Sequence, residues 1–188
     1  MGCSQRNSSR EILKVLADEH LKTDIEKILV AKGFKITGPF DKLDMLPYPQ
    51  KQGSHLTLTP VVNVDAPAKV ASQTGTGSPL FPIQQDGVFL FSGWIALVMI
   101  EPLSGEKMWI KRIEVAPMEE PFRRRYYTIQ SKGKDQVRVL EDTQEQALAR
   151  GLNRLYPKVM EQAWAYINPD EIMHVKQQAD EVRKLKRF

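Results

Sequence analysis

Three successive arginines followed by two tyrosines, Arg123-Arg124-Arg125-Tyr126-Tyr127, form the cluster best suited to hold a ligand. Guanidinium groups grip phosphate or carboxylate in a planar fork, and tyrosine rings stack on sugars and other rings. Read as a strand, the run divides, with Arg123 and Arg125 facing one way and Arg124 and Tyr126 the other. A solvated strand edge whose charges discourage aggregation is the competing reading of the same residues. Catalytic sets are harder to assemble. His20, His55 and His174 fall in three different elements with no paired ligand spacing. The 23 carboxylates are spread over helix faces and caps, and no acid–base pair selects itself. Gly75-Thr76-Gly77 lacks the third glycine and the lysine of a phosphate loop. No metal, no cofactor and no enzymatic activity is expected.

The one cysteine, Cys3, excludes an internal disulfide and argues against a zinc site. Gly2-Cys3-Ser4 resembles the end of a bacterial lipobox, where a leader is removed ahead of a cysteine that is then acylated. Serine after that cysteine implies, from the same resemblance, sorting to the outer membrane. Eukaryotic N-myristoylation at Gly2 is the rival, but its motif wants Ser or Thr where Arg6 stands. An incidental free thiol is the third reading. Gln5–Ser9 is polar, so residues 1–9 read as a tether for a lipid anchor.

The elements that must position the cluster are organised around Asp86–Val115. Val88–Ile100 is apolar except for Ser92 and Gly93. That is too short for a membrane-spanning helix, which needs about 20 apolar residues. Its Val, Ile, Phe and Trp suit a strand buried on both faces. Glu101-Pro102-Leu103-Ser104-Gly105-Glu106 reads as a tight reversal, with Gly105 in the left-handed conformation. Lys107–Val115 returns as a second strand. Trp94 and Trp109 on the two strands suit core packing better than a glycan site.

Upstream, Ser8 or Ser9 caps a helix running to Lys32, with an apolar stripe at Leu13, Ala17, Leu21, Ile25 and Ile28, and Gly33 stops it. Phe34–Thr37 alternates as a short strand. Phe40–Leu46 suits a helical turn capped by Asp41, ended by Pro47-Tyr48-Pro49, and Gln50–Ser54 a connector. His55–Asp65 alternates as a strand in which Pro60 demands a bulge or an edge position. Ala66–Gln85 reads as a long flexible loop. Downstream, Ala116–Pro121 looks like a turn, Phe122–Ile129 like a strand or extended loop, and Ser131–Gln136 like a loop tip. Thr143 and Gln146 have capping-box spacing. A helix follows, with Leu148, Leu152, Leu155, Val159, Ala163 and Ile167 on one face and Pro157 as an expected kink. Asn168-Pro169 stops and restarts it, giving a C-terminal helical pair over 143–187. The last helix carries Ile172, Val175, Ala179, Val182 and Leu185 inward and a Lys/Arg-rich end.

Composition agrees with a globular chain. The 188 residues are 41% hydrophobic and 27% charged, with a net charge of +4, too small an excess to imply nucleic acid. Strands in a block between helices predict an α+β fold. The expectation is a mostly antiparallel sheet with long N-terminal and C-terminal helices packed on one face, as a single domain over 10–188.

Glu26–Ile36, EKILVAKGFKI, resembles a run in the neuraminyllactose-binding hemagglutinin lipoproteins of epsilonproteobacteria, where a helix ends in an I-L-x-x-x-G-[YF]-K-V-like segment before a strand. The likeness continues through Gln52-Gly53, returns at Ile100–Glu106, and persists through Ala147–Ile167 and the basic C-terminal tail. It is poor at Ala66–Asp86 and Ala116–Leu140. The resemblance implies an outer-membrane or surface lipoprotein, associated in that family with the flagellar sheath and host adhesion, and not an enzyme. The family's basic glycan motif has no counterpart at Ala66–Val70, which holds only Lys69, so no glycan-binding residue carries over. Two functions therefore stand. One is an anchored protein of envelope or appendage assembly that docks envelope proteins. The other is an adhesin for host glycan or matrix.

Overall fold

The computed structural model describes residues 20–38, 40, 43–131 and 134–186. Cys3, the tether and the start of the first helix lie outside them. The fold is α+β, with an antiparallel sheet. Helix α1 covers 20–31 in its described part, and a 3-10 turn spans Leu43–Met45. Then come α2 (Tyr48–Gly53), β1 (Thr57–Asp65), β2 (Ala68–Thr74), β3 (Ile83–Ile100), β4 (Lys107–Ser131), β5 (Lys134–Asp142), α3 (Gln144–Tyr166) and α4 (Pro169–Lys186). The hydrogen-bonded order is β1-β3-β4-β5, with β2 also on β3. β1 ends that path, so Pro60, which has no N–H for a ladder, lies on an edge strand.

Two compact units divide the described chain, and β1, β3, β4 and α3 each have residues in both. The first comprises Val64–Gly93 and Val115–Pro157. Its core holds Phe89, Phe91, Phe122, Ala147, Leu148 and Leu155. Each Phe and Leu among them contributes about 1.5–3 kcal/mol by leaving water. The rings of Phe89 and Phe122 meet at 4.8 Å between centroids. Helix α3 lies so close to β3 that a Cβ on Gly151 would come within 2.2 Å of the Phe91 ring. The helix is also held by charge. Buried Glu120 takes Arg154 at 2.5 Å and Arg150 at 3.6 Å, and Arg150 donates to the Pro121 carbonyl.

The second unit comprises the described parts of Ile12–Asn63, Trp94–Glu114 and Lys158–Phe188. Ile95–Met99 are five consecutive buried residues, as a strand covered on both faces requires. Around them are buried Leu21, Ile25 and Ile28 of α1, Val159 and Ala163 of α3, Ile167 just after it, and Ile172, Val175 and Ala179 of α4. Gly33 ends α1 as read from the sequence. At φ 85° it lets Phe34 N–H reach the Leu29 carbonyl and its own N–H reach that of Val30. Asn168 caps α4 by accepting the Asp170 N–H at 2.9 Å. The β3–β4 reversal forms as expected. Glu101 N–H bonds the Glu106 carbonyl, Gly105 N–H bonds the Glu101 carbonyl, and Gly105 has φ 74°.

Several expectations fail for identifiable reasons. Ala66–Gln85 is not a long flexible loop but β2, a tight turn and the start of β3, because register, not hydrophobicity, specifies a polar exposed strand. Ala116–Pro121 does not turn, since β4 runs on through Pro117 and Pro121. Phe34–Thr37 forms no strand. The turn at Leu43–Met45 ends before Pro47 as read, but Gln50–Ser54 is not a connector. Gln50–Gly53 complete α2, and Pro49 sits in its first turn, where a missing N–H costs nothing. Ser131–Gln136 is partly strand, since β5 begins at Lys134. Thr143 opens α3, with its carbonyl accepting the Ala147 N–H at 3.0 Å, but its hydroxyl does not cap the helix. Its hydroxyl exchanges hydrogen bonds with the Arg123 backbone, while Asp142 takes the Gln144 N–H at 3.0 Å. Leu185, placed inward by the sequence pattern, points to solvent.

Candidate functional site

The arginine–tyrosine run lies on β4 in the first unit, where it pairs with β5. Tyr126 opposes Val139, Tyr127 opposes Arg138, and Thr128 opposes Val137. Arg125 opposes Glu141, and Arg124 opposes Asp142. The register jumps between Arg125 and Tyr126, which leaves Leu140 as the extra residue of a bulge on β5.

Cross-strand partners share a face, so the ladder sorts the run into two sets. One face carries Arg124, Tyr126, Thr128, Val137, Val139 and Asp142. The other carries Arg123, Arg125, Tyr127, Ile129, Arg138 and Glu141. The alternation read from the sequence is thus borne out for the arginines.

Two of the arginines are already engaged. Arg123 Nε donates to Asp86 Oδ1 at 2.7 Å. That bond, then the amide of Gln84, holds the Asp86 carboxyl below its ordinary range, and the Asp86 carboxylate raises Arg123 in return. The Arg123 main chain is also fixed, since its N–H donates to the Thr143 hydroxyl at 2.8 Å and its carbonyl accepts the Thr143 N–H. Arg124 is half-buried, with its guanidinium 5.0 Å from the Tyr126 ring centroid and Nε 3.3 Å from Asp142 Oδ2. These are structural ties, binding β4 to β3 and to β5. They are not the solvated strand edge read from the sequence, since β4 lies between β3 and β5.

What remains is Arg125, Tyr127 and Arg138. Both arginines are exposed, and among the described residues neither has an ion pair. Tyr127 is half-exposed between them, directly opposite Arg138 and two residues along the same strand from Arg125. A ring flanked by two uncommitted guanidinium groups can stack on a planar or sugar surface and pair an anionic substituent. Arg138 falls between the loop tip read over Ser131–Gln136 and the helix opened at Thr143, a stretch the sequence reading leaves unassigned. The alternation Val137-Arg138-Val139 is the signal that places it on a strand opposite Tyr127.

The other named residues lie elsewhere. Trp109 is buried in the second unit, with its indole N–H donated to Glu171 at 2.9 Å, and Arg112 lies 4.7 Å over the Trp94 ring. His55 pairs with Asp180 at 3.0 Å. Among the described residues no three His, Cys, Asp or Glu side chains gather as a metal set, and no helix is long and apolar enough to cross a membrane.

No family model matches this chain. No curated protein matches it. Among solved structures, a chain from Helicobacter pylori, provisionally named a neuraminyllactose-binding hemagglutinin homolog, is similar with a TM-score of 0.53 and 18% identity. The match covers 87% of this chain and 81% of that one. At that identity the likeness is one of fold.

Proposed function

We propose that this chain is a non-enzymatic docking protein of a bacterial outer membrane, held by an acyl group on Cys3 and acting in envelope or appendage assembly through protein–protein contacts. One observation carries the reading. β5 ends the strand order, and Asp135–Leu140 are all exposed, with Val137, Val139 and Leu140 each more than half open to solvent. An edge strand of this kind offers main-chain hydrogen bonds to an added strand and side-chain sites for specificity.

A second reading rests on its own observation. Tyr127 between Arg125 and Arg138 suits an acidic sugar, and the protein of similar fold carries neuraminyllactose in its name. In this reading the chain is a surface adhesin, and the ligand is a host glycan bearing a carboxylate.

The test begins with the full-length gene expressed in a bacterial host. Acylation raises the intact mass, and Cys3→Ser removes the added mass and releases the protein from the outer membrane. Photocrosslinking from β5 in the anchored protein then captures an envelope protein. Capture of a sialylated glycan instead favours the adhesin, and an unmodified, soluble product removes the anchor.

A further inference from the structure

The tip of the β2–β3 hairpin holds two apolar side chains away from the rest of the protein. Leu80 is 86% exposed and Phe81 is 65% exposed. No described large apolar residue is more exposed than Leu80.

This is not a slack loop. Thr76 N–H and Gly77 N–H both donate to the Phe81 carbonyl, at 3.1 and 3.0 Å. Phe81 N–H donates to the Ser78 carbonyl and to its hydroxyl, each at 3.1 Å. Gly75 and Gly77 have φ of 91° and 83°, and a Cβ on Gly75 would lie 2.0 Å from the Pro82 carbonyl oxygen. Only glycine lets the two chains cross there. The tip is then pinned to β4, because Thr128 N–H donates to the Gly77 carbonyl at 3.0 Å. Pro79 and Pro82 bracket the pair and limit its backbone further. The backbone ordering entropy of Leu80 and Phe81 is thus largely spent before anything binds.

Charge identifies the occupant. Val70–Gln85 is sixteen residues without one Asp, Glu, Lys or Arg, in a chain that is 27% charged. The polar groups it does carry are Ser, Thr and Gln, and Gln73 and Gln85 satisfy each other at 2.8 Å. A protein-docking loop ordinarily presents a polar or charged rim around its apolar anchors. A bilayer imposes the opposite demand, because any charge carried past the headgroups is costly. Two neighbouring apolar side chains on a rigid, charge-free hairpin tip meet that demand.

We propose that Leu80 and Phe81 form a wedge that inserts into the headgroup–acyl boundary of a lipid bilayer. The wedge lays the first unit against the membrane surface. Two side chains give only weak partitioning by themselves, so the wedge orients a chain already held at the membrane and does not recruit it.

The test uses the full chain coupled through Cys3, its only cysteine, to a maleimide lipid in vesicles of phosphatidylethanolamine and phosphatidylglycerol. The coupling supplies the tether artificially, so the result is independent of whether Cys3 is acylated in the cell. A photocrosslinking phenylalanine analogue replaces Phe81. The expected result is a mass adduct of one lipid, undiminished in high salt because apolar insertion is not screened. Gly75→Ala, which disrupts the tip, lowers adduct formation several-fold. Soluble envelope extract is added in a parallel reaction. Adducts to protein in place of lipid, or no adduct in either reaction, overturn the proposal. As a second measurement, Leu80→Ser in the coupled chain that carries the analogue at position 81 lowers the lipid adduct several-fold. An unchanged adduct overturns the proposal as well.

Discussion

Arg183 Nε donates to Glu101 Oε1 at 2.7 Å, joining the last helix to the β3–β4 reversal. The carboxylate is wholly buried, and it also accepts the Leu103 and Ser104 N–H groups at 3.0 and 2.5 Å. The other nitrogens of Arg183 donate to the carbonyls of Lys51, Gln52 and Ser54, at and just beyond the end of α2. One guanidinium thus holds three elements of the second unit. Removing it orphans a buried charge and several carbonyls together. Arg183→Met should destabilise by about 3–5 kcal/mol, the range for breaking a buried ion pair from one side. Urea denaturation measures this. A loss within the range of an exposed surface pair, below about 1 kcal/mol, would show the contact to be incidental.

The same cluster makes a prediction about pH. Burial alone pushes the Glu101 carboxyl up, but hydrogen bonds from Leu103 N–H, from the Ser104 hydroxyl and N–H, and from Arg183 outweigh it. The net shift is downward from the ordinary 4.5. A carboxyl depressed by folding contributes stability fully above its unfolded value. That contribution is lost as pH falls below 4.5 and through the depressed folded value. Urea midpoints should therefore fall less steeply with acidification in Glu101→Gln than in the parent chain. Part of the slope remains, because Glu171 is also held down, by Lys111 and then the Trp109 indole. Parallel acid slopes in the two proteins would remove Glu101 from the account.

Much of this architecture is legible in the sequence, because the residues that specify it act locally. Gly33, Gly105 and Asn168 each require a particular backbone conformation, and each adopts it. The apolar run after Asp86 announces a buried strand. What is not legible depends on pairing. β2 and β5 are exposed and polar, and their strand character comes from their ladders with β3 and β4. Thr143 illustrates the same limit at a single side chain. Its spacing to Gln146 is that of a capping box, yet a strand twenty residues away offers the Arg123 N–H and carbonyl and takes the hydroxyl. The neighbourhood of Arg138 and Tyr127 is hidden for the same reason, since the two meet only through register.

Gly151 reverses a sequence-level expectation. Glycine inside a helix costs about 1 kcal/mol relative to alanine, so Gly151→Ala reads as stabilising. Here the new Cβ would lie 2.2 Å from the ring of Phe91, which is itself fully buried and has no open side to turn toward. The variant should instead lose about 1–3 kcal/mol through overpacking. Combining it with Phe91→Leu should cost less than the sum of the two single changes, because the smaller side chain makes room for the methyl. Additive losses across this cycle would mean that helix and strand do not meet as described.

The arginine run should separate stability from recognition. Arg124 is half-buried, stacks over Tyr126 and lies beside Asp142 across the β4–β5 ladder, so Arg124→Gln should lower the urea midpoint. Arg138 is exposed and has no ion pair among the described residues, so Arg138→Gln should leave stability within about 0.5 kcal/mol of the parent. Tyr127 is half-exposed, and Tyr127→Phe keeps its ring while removing only the hydroxyl. Recognition should follow the opposite order. Photocrosslinking yield to an envelope partner, or retention on immobilised neuraminyllactose under the adhesin reading, should fall several-fold in Arg138→Gln and Arg125→Gln. It should hold in Arg124→Gln once the protein is folded. The contrast tests the face assignment directly. Equal losses from Arg124 and Arg138 would place the ligand on neither face, and a loss only from Arg124 would move it to the face of Tyr126, Val137 and Val139.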